Sequence, residues 1–190
     1  MQFGFYLPTF GPTARPDPLV AWARRGDDLG FHFMVVGDHI LVPREISSPY
    51  PYTTRGDFPW SDSGEHLEQL TMLTFLTAVT ERIRLVPSVM IVPYRNPLLA
   101  AKILATLDVL CEGRLTLGVG VGGEFPVEFE AAGLNVKERG RRTDECLELI
   151  RRLWTEDNVT HEGQFFTLHN VSVVPKPVQK PSPPIWVGGR

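Results

Sequence analysis

Residues 113–125 read GRLTLGVGVGGEF, and this stretch decides the fold. The run Arg114–Val121 has the apolar, β-branched character of a buried strand and breaks off into Gly122-Gly123-Glu124. Two other runs have the same build. FMVVG leads into Asp38-His39, and PIWV leads into Gly188-Gly189-Arg190. Helical segments follow Phe33–Gly37 and Arg114–Val121, so the runs read as parallel strands of β/α units. In such sheets ligands and catalytic groups gather at the C-terminal strand edge. An acid/base candidate, a carboxylate and two glycine-rich anion cradles then share one rim, which reads as an enzyme.

Working outward, Phe3–Leu7 is expected as a first strand, ended by Pro8 and Gly11. Pro16-Asp17-Pro18 opens a helix that carries Leu19, Val20, Trp22, Ala23 and Leu29 inward and stops at Gly30. Residues 43–64, rich in Pro, Ser, Tyr and Gly, form a lid-like loop, since irregular stretches of that length are usually functional or disordered. Its Tyr50, Tyr52, Phe58 and Trp60 either wall a pocket or pin the loop. A helix is expected over Glu65–Thr80 and a third strand over Ile83–Val92. Asn96 caps the next helix, Pro97 takes its first position and Gly113 follows its end. Residues 138–156 make an amphipathic helix, 158–174 a small inserted hairpin, and Ile185–Val187 a last strand.

Five strands in strand–helix alternation argue for one α/β domain over residues 1–190 with a parallel sheet. A complete (β/α)₈ TIM barrel takes about 250 residues. The sequence stops at a strand's C-terminal edge without a covering helix, so the expected architecture is the N-terminal part of a barrel, apparently truncated.

The net charge of −3 and pI near 6.0 give no reason to expect nucleic acid or membrane binding. No apolar run reaches the roughly 20 residues that span a bilayer. The N-terminus lacks the build of a signal peptide, and Cys111 and Cys146 fall in helical segments, as free buried thiols would. A cytoplasmic setting is expected, with no metal site.

His39 is the foremost acid/base candidate, because it stands directly after a strand and a neighbouring carboxylate tunes an imidazole across neutrality. Asp38 either orients it or bonds a ligand. Glu124 is a second candidate acid. The glycines near it allow close approach of a planar ligand or phosphate, although tight packing explains them equally well. Arg139, Arg141 and Arg142 either supply positive charge to a ligand tail or form a solvated helix start. Pro87 is unwelcome in a buried strand, so the strand is either bulged or distorted there or, as the residues alone favour, shorter and begun after it.

The ordered set FGFYLPTFGP, GDH, PSVMIVPYRNP, GRLTLGVGVGGEFPVEFEAAG, ERGRRTDECLELIRRLWTE and NVSVVPKPVQKPSPPIWVGGR resembles the luciferase-like monooxygenase superfamily. It looks most like the deazaflavin (coenzyme F-420)-dependent oxidoreductases, and the resemblance covers essentially the whole chain. It implies a (β/α)₈ barrel lacking about its last three strands. It further implies a non-prolyl cis peptide at Ser88-Val89 behind the cofactor ring, and Asp38 and His39 beside that ring, with His39 as acid/base. Gly122 and Glu124 match the fourth-strand turn, but related dehydrogenases carry their acid one position earlier and a bulky residue at Gly123. Gly188 and Gly189 match a phosphate-holding turn. The implied reaction is hydride transfer between coenzyme F-420 and a small organic substrate, and the implied assembly is a homodimer. An FMN-dependent monooxygenase that uses oxygen is the first alternative. A non-catalytic cofactor-binding module is the second.

Overall fold

The first strands are laid side by side in chain order. β1 (Gly4–Tyr6) is followed by helix α1 (Pro16–Asp28) and then β2 (Phe33–Val36), helix α2 (Gln69–Thr77) and β3 (Arg84–Pro87). All are parallel, with Met34 between Phe5 and Leu85. This computed structural model describes residues 1–43, 50, 53–54, 56–58 and 64–188.

The chain then runs through β4 (Met90–Ile91), a 3₁₀ turn at Val92–Tyr94, helix α3 (Pro97–Leu110) and β5 (Leu117–Gly120). Helix α4 (Pro126–Ala131), a second 3₁₀ turn, helix α5 (Arg139–Thr155), the hairpin of β6 (Val159–Glu162) and β7 (Thr167–Val171), and β8 (Ile185–Val187) complete it. β5 lies between β4 and β8, again in parallel. A bridge from Leu85 to Leu115 joins the two groups of strands. Strand order therefore follows chain order, as in a singly wound barrel and unlike a doubly wound sheet, whose order reverses at a switch point.

The sheet is strongly curled. Three strand steps of about 4.8 Å separate β2 from β8 in a flat sheet, yet the rings of Phe33 and Trp186 meet edge-on at 5.7 Å. Among the described residues the arc does not close, because β1 and β8 are not paired with each other. Leu73, Leu76, Leu104, Leu107, Leu153 and Trp154 are fully buried between helices and strands.

Several boundaries differ from the sequence expectation. Helix α2 starts at Gln69 rather than Glu65, because the Glu68 carboxylate accepts from Thr71 N at 2.7 Å and so caps it. Trp22 and Leu29 are exposed: the buried stripe of α1 is Leu19, Ala23, Gly26 and Asp27, and Trp22 stands a step outside it. The third strand is split rather than continuous, and its first part ends at Pro87 instead of beginning after it. Pro87 costs no ladder bond to β2, because the donor on that side is the next residue, Ser88, which donates to Val36 O at 2.8 Å.

The N-terminal ends of the strands are tied by buried polar groups. Asp27 accepts from the backbone amides of Glu81, Arg82 and Ile83. Its burial works against ionisation, but those donors and Arg82 outweigh it and hold the carboxyl below its ordinary range. Arg114 donates to Ile83 O, Thr77 O and Thr80 O. The opposite ends are left for chemistry. Among the described residues no helix is long and apolar enough to cross a membrane.

Candidate active site

A cavity of about 980 Å³ opens at the C-terminal ends of the strands. Asp38, His39, Ser88 and Val89 line it, and so do Gly122, Glu124 and Gly188. The three apolar runs and the Pro87 segment thus converge on one space. Gly189 and Arg190 lie outside the described residues, as do Tyr52 and Trp60 of the 43–64 loop, whereas Tyr50 and Phe58 line the cavity. The volume is at the upper end of the roughly 300–1,000 Å³ of small-molecule sites.

The floor is made where glycines meet Val89. The Ser88–Val89 peptide is cis. A Cβ on Gly120 would lie 2.5 Å from Val89 Cγ2, and one on Gly188 would lie 2.6 Å from Val89 Cγ1. A Cβ on Gly118 would meet the Pro87 carbonyl oxygen at 2.2 Å. These three glycines are therefore required by packing around residues 87–89. Gly122 is different: its φ of +66° is a left-handed turn conformation that favours glycine. The result is a floor almost free of side chains under walls of Tyr6, Phe10, Tyr50, Phe58 and Tyr94. Such a space fits a flat polycyclic ring.

His39 stands at the rim inside an aromatic enclosure, with ring centroids 5.0 Å from Phe58 and 5.5 Å from Phe125. Its Nδ1 lies 3.3 Å from both oxygens of Glu128. That carboxylate is almost wholly buried and also accepts from Ile40 N and from the Tyr94 hydroxyl, each at 3.0 Å. Burial, the bonded Glu128 and the Asp38 and Glu124 charges all push the Tyr94 phenol up, so it remains a donor.

Asp38 does not orient His39. Its carboxylate accepts from Arg95 at 2.6 and 2.9 Å and from Ile91 N at 2.8 Å. Arg95 also donates to Glu68 at 2.9 Å. Burial opposes the guanidinium charge, but the two carboxylates outweigh it and raise the pKa of Arg95. Asp38 fixes β4 and the 3₁₀ turn to the end of β2.

Glu128 and His66 are among the site residues that sequence reasoning missed. Glu128 sits on α4, a helix too short to show periodicity. Its signal was the i, i+3, i+4 set of Phe125, Glu128 and Phe129, all three buried, behind Pro126. His66 precedes α2, and its ring centroid is 5.3 Å from that of His39. Its Nδ1 faces Leu67 O at 3.1 Å and so carries the hydrogen, leaving Nε2 to accept from the Thr9 hydroxyl at 2.7 Å. Burial first, and then the charge of His39, lower its pKa to about 4.

The arginines that open α5 have separate partners. Arg141 pairs with Glu138 at 3.7 Å in solvent, and Arg142 stacks on Phe166 at 4.7 Å. Arg139 donates to Val136 O and lies against Gly123. None of the three lines the cavity.

The model of a family described as luciferase-like monooxygenase matches residues 1–190. An uncharacterised protein of Mycobacterium tuberculosis is 34% identical over 189 residues, which are 100% of this chain and 60% of its own length. An FMNH(2)-dependent dimethylsulfone monooxygenase of Pseudomonas putida is 38% identical over 125 residues, 64% of this chain and 34% of that protein. Among solved structures, a monooxygenase from Streptomyces bottropensis superposes with a TM-score of 0.80 at 31% identity, covering 98% of this chain and 53% of the other. A coenzyme F-420-dependent secondary alcohol dehydrogenase, in complex with an F-420–acetone adduct, matches with a TM-score of 0.73 at 25% identity over 99% of this chain and 52% of its own. The chain thus spans little more than half the length of these structures, and its α/β fold is that of luciferase-like barrel enzymes.

Proposed function

Since this chain belongs to the luciferase-like monooxygenase family, we propose that it serves an oxidoreductase acting on a small organic substrate, with coenzyme F-420 as its cofactor and His39 as acid/base. The observation that carries the reading is the placing of His39. Its imidazole stands at the rim of a flat-floored, aromatic-walled cavity, and a buried carboxylate holds the ring nitrogen that faces away.

Val89, Gly120 and Gly122 supply the surface on which a tricyclic ring would lie, and Gly188 marks the strand end beside it. When bound, the deazaflavin supplies two-electron hydride chemistry. Tyr50, Phe58 and Phe125 exclude water around the imidazole. His39 then gives or takes the proton that accompanies the change at the substrate, in surroundings where proton transfer by a positioned side chain contributes roughly 10²–10⁴-fold. Glu124, which lines the same cavity, is the second candidate for proton transfer.

A second reading keeps the site and exchanges the cofactor for FMN, and the 38% identity to an FMNH(2)-dependent monooxygenase favours it. Fluorescence titration with each cofactor separates the two readings. Tight binding of coenzyme F-420 and weak binding of FMN is the expected result; the reverse overturns the cofactor choice. His39→Ala is expected to lower turnover roughly 10²–10⁴-fold at unchanged cofactor affinity. Near-normal turnover removes His39 from the chemistry.

A further inference from the structure

We propose that Glu128 is a positioning residue: its carboxylate holds His39 in the tautomer with hydrogen on Nδ1 and leaves the Nε2 lone pair to the cavity. This deepens the oxidoreductase reading and rests on it for its catalytic consequence, but the tautomer itself is a property of the protein alone.

Glu128 is 2% exposed, so its charge persists only if donors surround it. Two are fixed. The Ile40 amide points at Oε1 and the Tyr94 hydroxyl at Oε2, each at 3.0 Å. A donor directed at each of the two oxygens is the environment that favours a carboxylate, which only accepts. The remaining neighbour is His39 Nδ1, 3.3 Å from both oxygens. A bare lone pair on Nδ1 would face two negative oxygens and be repelled. Hydrogen on Nδ1 turns the same contact into a charge-assisted bond.

The other side of the ring completes the argument. Phe58, Phe125, Tyr50 and His66 pack around the imidazole through their rings. Among the described residues none of them bonds to Nε2. His66, the other imidazole in the cavity, has both nitrogens engaged by Thr9 and Leu67. Of the two, only His39 has a basic nitrogen with no partner among the described residues. When Nε2 takes a proton from substrate, the resulting positive charge is shared along the Nδ1–H bond to Glu128. When it returns the proton, the ring falls back to the starting tautomer. Helix α4 makes this possible by turning Glu128 inward beside Phe129.

The test is ¹⁵N spectroscopy of histidine-labelled full chain without cofactor, on the alkaline side where the imidazole is neutral. The expected spectrum has hydrogen on Nδ1 of His39 and a bare Nε2. Glu128→Gln keeps an oxygen for Ile40 N but turns an amide donor toward Nδ1, so it should move the hydrogen to Nε2. An amide in the place of a carboxylate that orients a catalytic histidine costs up to about 10⁴-fold in turnover. We expect a loss of at least about 10²-fold here, at unchanged cofactor affinity. Hydrogen on Nε2 in the wild-type chain overturns the proposal, as does a Gln variant that keeps both tautomer and turnover. If that variant does not fold, the wild-type spectrum decides alone. The expected spectrum with no turnover on either cofactor upholds the positioning role and defeats the oxidoreductase reading.

Discussion

Arg95 grips both oxygens of Asp38, at 2.6 and 2.9 Å, so the carboxylate next to His39 in sequence is engaged elsewhere. The pair is buried, with side-chain exposures of 13% for Arg95 and 1% for Asp38. Removing one partner of such a pair strands the other charge, which typically costs about 3–5 kcal/mol. Arg95→Met should lower stability in urea by that order. Adding Asp38→Asn should recover part of the loss, because the carboxylate left without Arg95 is then only that of Glu68, which is 45% exposed. A double variant as unstable as the sum of the singles would show that the two residues act independently.

Val89 and Gly120 form a second coupled pair. A Cβ at position 120 meets Val89 Cγ2 at 2.5 Å, but the next atoms are Val89 Cβ at 3.4 Å and Ile91 Cδ1 at 4.0 Å. Gly120→Ala should therefore cost about 1–3 kcal/mol as an overpacked core position. Val89→Ala removes the colliding methyl and leaves only ordinary contacts. The combined variant should be more stable than additivity allows, as read from urea midpoints. Simple additivity would mean that Gly120 is needed for something other than room for Val89.

Much of this was legible in the sequence, because the signals are local. The apolar runs before Asp38, Gly122 and Gly188 mark strand ends, and the fold places all three at one rim. The spacing of Asn96, Pro97 and Gly113 marks α3 as observed. What sequence could not carry is pairing at long range. Asp38 and Arg95 are 57 residues apart, and His39 and Glu128 are 89 apart. Nothing local distinguishes Arg95 from a solvated charge, and the apolar positions beside Glu128 lie on a helix of six residues, too short for their spacing to stand out. The glycines of β5 were ambiguous for a related reason: their need for space comes from residues 87–89 on the neighbouring strand, which no reading of 118–120 alone reveals.

The two cysteines should be silent toward thiol reagents in the folded chain. Both are free and buried. Burial pushes the Cys146 thiol up to about 12 and raises Cys111 as well, so little reactive thiolate forms near neutral pH. Iodoacetamide followed by mass spectrometry should label neither in native buffer and both in urea. Native labelling of Cys146 would mean that α5 opens far more readily than its packing implies.

His66 should make the chain sensitive to acid over a defined interval. Its pKa is about 4 in the folded chain against 6.5 for an ordinary histidine, because burial and the nearby His39 disfavour its charge. A lowered histidine pKa means that the unfolded chain binds the extra proton first. The stability from neutral His66 is therefore complete above about pH 6.5 and declines as pH falls toward 4, after which the loss levels off. Glu68 and Glu145 have lowered pKa values and are also lost in acid, so the informative quantity is a difference between variants. His66→Gln cannot titrate, and its stability should fall less steeply between pH 6.5 and 4 than that of the wild type, by up to one proton in slope. His39→Ala should give an intermediate slope, since it relieves the second of the two causes. Urea denaturation at a series of pH values reads all three. Superimposable slopes for wild type and His66→Gln would show that His66 titrates as it does in water, and that burial and His39 do not hold it neutral.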